Sequence, residues 1–105
     1  MEGRFRAAIP AAPDVELRRL FGCPAAFVNG NMFAGLHQDE LILRLGRTDL
    51  EEARAAWGVG AVRARSGRAM REYLAPPAPV LEDLPALRAW LDRSLAYVRS
   101  LPPKA

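Results

Sequence analysis

The sequence predicts an α+β domain of two layers, in which an antiparallel β-meander and a hairpin pack against helices. Three observations lead to this class. Apolar residues alternate with a period of two in the middle of the chain, the pattern becomes helical after Gly46, and a broad apolar stripe at helical spacing closes the sequence. The 105 residues are enough for one domain and too few for two, so residues 1–105 are predicted to form a single domain.

The first half of the chain predicts a short helix followed by three or four strands. Residues 2–9 form the helix, which two prolines end, and residues 15–21 form the first strand. Asn29-Gly30 lies between two apolar runs, which is the strongest short-range signal for a tight hairpin. Residues 38–39 supply a second two-residue loop, and another apolar strand follows it.

These two turns predict which side of the sheet each residue faces, because side chains alternate along a strand. One side has no polar residue and is predicted to be the core: Ala25, Phe27, Met32, Ala34, Leu36, Leu41, Leu43 and Leu45. The opposite side is mixed: Val28, Asn31, Phe33, Gly35, His37, Glu40, Ile42 and Arg44.

The apolar residues on the mixed side need an explanation, because the side of a sheet that faces solvent is normally polar. The chain's own N-terminal helix is one explanation, and tolerance of scattered apolar residues is another. A docked protein or a second copy of the chain is the third. The candidate partner-binding residues are therefore Val28, Phe33, Ile42 and Arg44, and Phe33→Asp is predicted to abolish binding without unfolding the domain.

The second half predicts a helix, a hairpin and a closing helix. Thr48 with Glu51 has the spacing of a capping box, and Gly58 would end that helix. A hairpin around Ser66-Gly67 follows, with a three-residue loop that places Val62, Ala64, Met70 and Leu74 on one face. The last helix begins near Asp83, its predicted cap, and its wide apolar face can pack across a sheet.

Candidate chemistry is sparse. Cys23 and His37 are the single cysteine and the single histidine, so a nucleophile–base pair would need both. The predicted register places Cys23 on the core side and His37 on the other. An enzyme that uses Cys23 is therefore an alternative of low weight, and no catalytic, cofactor or metal residue is assigned. One cysteine forms no internal disulfide, and the N-terminus has no secretory or membrane-spanning pattern. The cytoplasm is the expected location, without a membrane partner.

The remaining charged motif is a group of arginines in the predicted hairpin. Arg63, Arg65, Arg68 and Arg71 lie near Tyr73, a possible stacking surface for a base. A nucleic-acid contact at these arginines is the second alternative. A solvated strand face is favoured over it, because the net charge is only +3.

Three segments resemble the TfoX N-terminal domain family: "LRRLFGCPAAFVNGNMFAGLHQDELILRLG", "GRAMREYL" and "LRAWLDRSLAYVRSLPPK". The family shows an Arg-x-Phe/Met-Phe-Gly start, an Asn-Gly hairpin, a Phe-Ala strand, a Gly-Arg-x-Met turn and a closing helix with Trp, and the three segments resemble these motifs in the same order. The resemblance covers the chain from about Val15 to its end. The chain departs from the family in its short N-terminal helix and in Cys23, where the family commonly has glycine.

The resemblance implies a fold similar to that of secretion chaperones and no established enzymatic activity. TfoX proteins, also called Sxy, are regulators of natural competence that act with the cyclic-AMP receptor protein at DNA-uptake genes. Longer members carry a second, C-terminal domain, which is not expected after Ala105. The resemblance therefore predicts a regulatory or protein-interaction domain, with a protein partner or a homodimer as its complex.

Overall fold

One antiparallel sheet organises the computed structural model, which describes residues 2–20, 22–37, 40–57, 62–63 and 73–103. The strands in these ranges are β1 (Val15–Leu20), β2 (Cys23–Val28), β3 (Asn31–His37), β4 (Glu40–Arg44), β5 (Val62–Arg63) and β6 (Tyr73–Ala75). The helices are α1 (Glu2–Ala8), α2 (Arg47–Trp57), α3 (Ala78–Leu81) and α4 (Leu84–Arg99). The strand order across the sheet is β1-β2-β3-β4-β6-β5, with every neighbouring pair antiparallel.

The four described helices pack on one side of this sheet, so the predicted α+β class with two layers is confirmed. A single buried cluster joins Phe5 of α1, Leu50 of α2 and Leu91 of α4 to Phe33 and Leu43 of the sheet. Residues of α3 pack against the same cluster. Burying such large apolar side chains supplies most of the stabilisation of a domain this size.

The predicted Asn-Gly hairpin is confirmed. Asn29 and Gly30 have φ angles of 54° and 80°, which are the left-handed conformations that a tight two-residue turn with the right twist requires. Val28 pairs with Asn31 across the turn, as the two-residue loop predicts. The second predicted register, His37 opposite Glu40, is also confirmed.

A β-bulge between these two turns changes the predicted sides of the sheet. Phe27 pairs with Met32, but the next pair is Ala26 with Ala34, so Phe33 is an extra residue in β3. A bulge of this kind lets two successive side chains face the same side. Phe33 and Ala34 accordingly both lie in the core, where each has no exposed surface.

Two buried hydroxyl groups stabilise the backbone at the bulge. The hydroxyl of Tyr73 donates a hydrogen bond of 2.9 Å to the carbonyl of Met32, and Ser94 Oγ donates one of 2.7 Å to the carbonyl of Phe33. Tyr73 comes from β6, which lies beyond β4 in the sheet, and its side chain reaches across β4, whereas Ser94 comes from α4. The irregular segment of β3 therefore has its carbonyls satisfied by side chains from both sides of the sheet.

The closing helix α4 begins as predicted. Asp83 is its N-cap and accepts a hydrogen bond of 3.2 Å from the amide of Ala86, with Pro85 in the first turn. The buried residues of α4 are Leu87, Leu91, Ser94, Leu95 and Val98. They form the predicted apolar stripe, with one serine inside it.

The start of α2 differs from the prediction. The carbonyl of Gly46 accepts the first helical hydrogen bond, 2.8 Å from the amide of Leu50, so Gly46 and not Thr48 is the N-cap. The predicted capping box is therefore wrong, because the helix begins before Thr48. Leu50 and Ala53 are buried as the helical spacing predicts.

The last strand pair also has a different register. Val62 pairs with Ala75 and Arg63 pairs with Leu74, so the predicted grouping of Val62 with Leu74 is wrong. The turn around Ser66-Gly67 lies outside the described residues.

Polar contacts tie the end of α4 to the beginning of the chain. The guanidinium group of Arg99 donates hydrogen bonds of 2.8 and 2.9 Å to the carboxylate of Asp14, just before β1. These hydrogen bonds hold the pKa of Asp14 below its ordinary value. Arg88 of α4 donates to the carbonyl of Ala7 in α1, at 3.1 Å from Nη2.

Within the ranges above, no helix combines the length and the apolar character needed to cross a membrane.

Candidate interaction surface

The side of the sheet opposite the helices, called the outer face below, carries a row of apolar residues. Its members on the central strands are Ala25, Phe27, Met32, Gly35 and Ile42, followed by Tyr73 and Ala75 on β6. Phe27 and Met32 are half-buried, and none of the described helices packs over them. Phe27 and Met32 are therefore the apolar side chains of the outer face that reach the surface, whereas the other members of this row are buried.

Two of the predicted partner-binding residues do not lie on this face. Val28 is 1% exposed and Phe33 is 0% exposed, and both belong to the core beneath the helices. The prediction is wrong because the bulge reverses the alternation in β2 and in the first residues of β3. Phe33→Asp would therefore place a charge in the core and unfold the domain.

The same reversal corrects the predicted core. Ala25, Phe27 and Met32 were expected beneath the helices and lie on the outer face. Beyond the bulge the prediction holds, because the core side there carries the expected residues: Ala34, Leu41, Leu43 and Leu45.

Ile42 and Arg44, the other two predicted partner-binding residues, do lie on the outer face. Ile42 is only 2% exposed, because Met32 and Tyr73 pack against it. The guanidinium carbon of Arg44 lies 5.9 Å from the ring centroids of both Tyr73 and Tyr97, within the range of cation–π contacts. Ile42 thus lies buried beneath Met32 and Tyr73 on the outer face, and Arg44 lies at the border of that face.

Gly35 gives Met32 the space to lie across the outer face. A Cβ atom at Gly35 would meet Met32 Sδ at 3.3 Å and the Cβ of Ala25 at 3.5 Å. The thioether therefore occupies the place that a side chain at position 35 would take. Met32 is unbranched and adaptable, which suits a side chain at a binding surface.

A pair of opposite charges borders the outer face at β1. The guanidinium carbon of Arg18 lies 4.8 Å from the ring centroid of Phe27, a cation–π geometry. Arg18 Nη2 also donates a hydrogen bond of 2.9 Å to Glu16 Oε1. This hydrogen bond, with the attraction between the two charges, lowers the pKa of Glu16, so the carboxylate is ionised at neutral pH.

Cys23 is half-buried and in line with Ala25 and Phe27. The expectation that Cys23 lies on the core side is therefore wrong, for the same reason as for its neighbours. The side chain of His37 lies outside the described residues, so the Cys23–His37 alternative is not tested. Among the side chains that the structure describes, no group of three or more His, Cys, Asp and Glu residues is arranged to hold a metal ion.

The arginine alternative lies mostly outside the described residues. Arg65, Arg68 and Arg71 belong to the undescribed segment, as does the side chain of Arg63, of which only the backbone register is known. A nucleic-acid contact there stays a prediction.

A shallow groove of about 420 Å³ lies on the helical layer, between the start of α2 and α4. Gly46, Thr48 and Tyr97 are among its lining residues. Arg93, at its edge, forms ion pairs of 3.4 Å with Asp49 and 2.8 Å with Glu52. These carboxylates compensate the charge of Arg93, and Glu51 lies 3.9 Å from Arg47, the other arginine that lines the groove.

The fold and the outer face define a small α+β domain whose sheet has one side beneath helices and the other partly open. The chain belongs to the TfoX N-terminal domain family, whose model matches residues 8–98. The resemblance to this family noted in the sequence is thereby confirmed. A search of curated proteins found no significant match to the chain.

Proposed function

We propose that this chain is a non-enzymatic regulatory domain that binds another protein through the outer face. In this proposal it is a transcription co-regulator of the TfoX type, which acts in competence. Its partner is the cyclic-AMP receptor protein or a related regulator, as the family resemblance implies. Membership of the TfoX N-terminal domain family supports the type of protein. The position of Phe27 and Met32 supports the binding face.

The observation that carries the proposal is the half-buried state of Phe27 and Met32 on the outer face. An aromatic ring and a thioether side by side on a sheet surface, with an arginine over the ring, have the composition of a protein-binding hot spot. Met32 rests in the space above Gly35, and Phe27 is held beneath Arg18. Both side chains are therefore pre-positioned, which reduces the entropy cost of binding.

The charges at the border of the outer face favour a partner with both signs of charge. Arg18 and Glu16 border the outer face on one side, and Arg44 borders it on the other. Such charges set the orientation and the association rate of a complex more than its affinity. A partner strand or loop with an apolar centre and a flanking carboxylate fits this arrangement.

Titration calorimetry with purified cyclic-AMP receptor protein tests the proposal. Wild-type domain is expected to bind, and Phe27→Asp is expected to weaken binding by more than about tenfold, because it buries a charge in the apolar part of the interface. Ala55→Asp is the matched control, since Ala55 is exposed on α2 in the helical layer. This control is expected to bind like the wild type.

Equal affinities of Phe27→Asp and wild type would overturn the outer face as the binding surface. Absence of binding by the wild type, with cyclic AMP present, would overturn this partner. Circular dichroism of both variants establishes that they are folded, so that a loss of binding is assigned to the surface.

A further inference from the structure

Strand β1 forms one edge of the sheet, and among the strands that the structure describes it pairs only with β2. It is six residues long and contains no proline or bulge. Leu17, at its middle, is 44% exposed and is the one large apolar side chain classed as exposed among the described residues. An exposed edge of this length is a template for another strand.

The pairing with β2 indicates that Leu17 directs its backbone groups toward the open edge. Pro24 has no N–H and lies opposite Arg19, which marks this pair as a non-hydrogen-bonded one. Because the two kinds of pair alternate, Leu17 and Val15 are of the same kind as Arg19. The amide of Val15 indeed donates to the carbonyl of Ala12, at 3.1 Å, and not to β2.

The charges of β1 match those of a second β1 in one register. Glu16 and Arg18 lie on the outer side of the strand, with side chains 60% and 49% exposed. In an antiparallel pair centred on Leu17, Glu16 of each copy faces Arg18 of the other. The two neighbouring allowed registers are centred on Arg18 and on Glu16, and each would place two like charges against each other, which is unfavourable.

We propose that two copies of this chain associate through β1, antiparallel and in register at Leu17. The six strands of each copy then form one continuous sheet. The two Leu17 residues exchange backbone hydrogen bonds and pack side chain to side chain on the helical side. On the outer side, Glu16 and Arg18 of both copies form a network of four charges. This interface shares Glu16 and Arg18 with the border of the outer face proposed above, but it is formed by the edge of β1 and does not depend on that proposal.

Sedimentation equilibrium of the purified chain tests this interface by charge reversal. The wild type is expected to have twice the monomer mass of 11.5 kDa at high concentration. Glu16→Arg is expected to raise the dimer dissociation constant at least tenfold, because it places arginines opposite one another. Glu16→Arg combined with Arg18→Glu is the matched variant, and it restores opposite charges and is expected to restore the dimer. Both side chains are exposed, so neither change disturbs the core.

Cysteine crosslinking tests the register. In a Cys23→Ser background, Leu17→Cys places two thiols on strands whose Cα atoms lie about 5.5 Å apart, a separation that a disulfide spans. Mild oxidation is expected to link this variant. Arg18→Cys is expected not to link, because its two copies are displaced by two residues, about 7 Å, along the strands.

Three results would overturn the proposal. They are a monomeric wild type at all concentrations, a Glu16→Arg variant that dimerises like the wild type, and crosslinking that is faster at position 18 than at position 17. The reversed-charge double variant separates the interface from any general effect of net charge.

Discussion

At the scale of single residues, the bulge in β3 depends on two hydroxyl groups. Ser94 has no exposed surface, and its hydroxyl reaches the carbonyl of Phe33 from within the apolar stripe of α4. Tyr73 reaches the carbonyl of Met32 from the other side of the sheet. A buried carbonyl that lost such a partner would pay its full desolvation cost.

Ser94→Ala is therefore expected to lower the free energy of unfolding by about 1–3 kcal/mol, because the carbonyl of Phe33 loses its hydroxyl donor. Urea denaturation of the variant and the wild type measures this difference. Ser100→Ala is the control. Ser100 also donates to a carbonyl, that of Tyr97 at 2.6 Å, but it is exposed, and water replaces its hydroxyl. A Ser94→Ala variant no less stable than Ser100→Ala would contradict the role of this hydrogen bond.

Ser94 was also the one signal of the bulge in the sequence. It lies three residues after Leu91 and one before Leu95, inside a stripe that is otherwise apolar. A serine in such a position indicates a buried acceptor nearby, because buried hydroxyl groups are hydrogen-bonded. It does not indicate which strand supplies the acceptor, so the bulge could not be placed from it.

At the scale of elements, the sequence predicted a turn and a helix cap that depend only on residues close together in the chain. Asn29-Gly30 fixes its own turn geometry, and Asp83 caps the helix that begins beside it. The bulge was not predictable in this way. The residues on both sides of it are apolar, so a regular strand and a bulged one agree equally well with the hydrophobic pattern. Helix α3 was missed because prolines precede it and it spans only four residues.

The junction of β4 and α2 depends on close contact between Gly46 and α4. A Cβ atom at Gly46 would lie 2.7 Å from Cδ1 of Tyr97, which is too close for an aromatic ring that packs against the core. Gly46→Ala is expected to lower the free energy of unfolding by about 1–3 kcal/mol, because the ring or the junction must move. Thermal or urea unfolding measures the change.

Gly3→Ala is the control for this substitution. Gly3 lies in α1, and nothing lies within 4 Å of the position that its Cβ would occupy. The change is expected to leave stability equal or to raise it by up to about 1 kcal/mol, because alanine favours a helix. A loss of stability equal to that of Gly46→Ala would mean that steric contact with Tyr97 is not the cause.

At the scale of the whole molecule, one extra residue in β3 determines which side chains are core and which are surface. With a regular strand, Phe27 and Met32 would pack beneath the helices, and Val28 and Phe33 would face outward. The bulge exchanges these roles. The sequence could therefore predict that the candidate site is a surface of the sheet. The residues on that surface could be identified only from the observed pairing of β2 with β3.

The proposed outer face follows from this exchange, and the proposed β1 interface shares two of its bordering residues. Phe27 belongs to the outer face only in the bulged register, and Arg18 lies over it. Since Arg18 and Glu16 also form the charged part of the β1 interface, the outer faces of two associated copies would lie on the same side of one sheet.

The most direct test compares the stabilities of Phe33→Ala and Phe27→Ala by urea denaturation. The bulged register predicts that Phe33→Ala loses about 3–5 kcal/mol of unfolding free energy, because a fully buried ring leaves a cavity. Phe27→Ala is expected to lose less than about 1.5 kcal/mol, because its ring is half-buried beneath Arg18. A larger loss for Phe27→Ala than for Phe33→Ala would contradict the bulge and, with it, the assignment of the outer face.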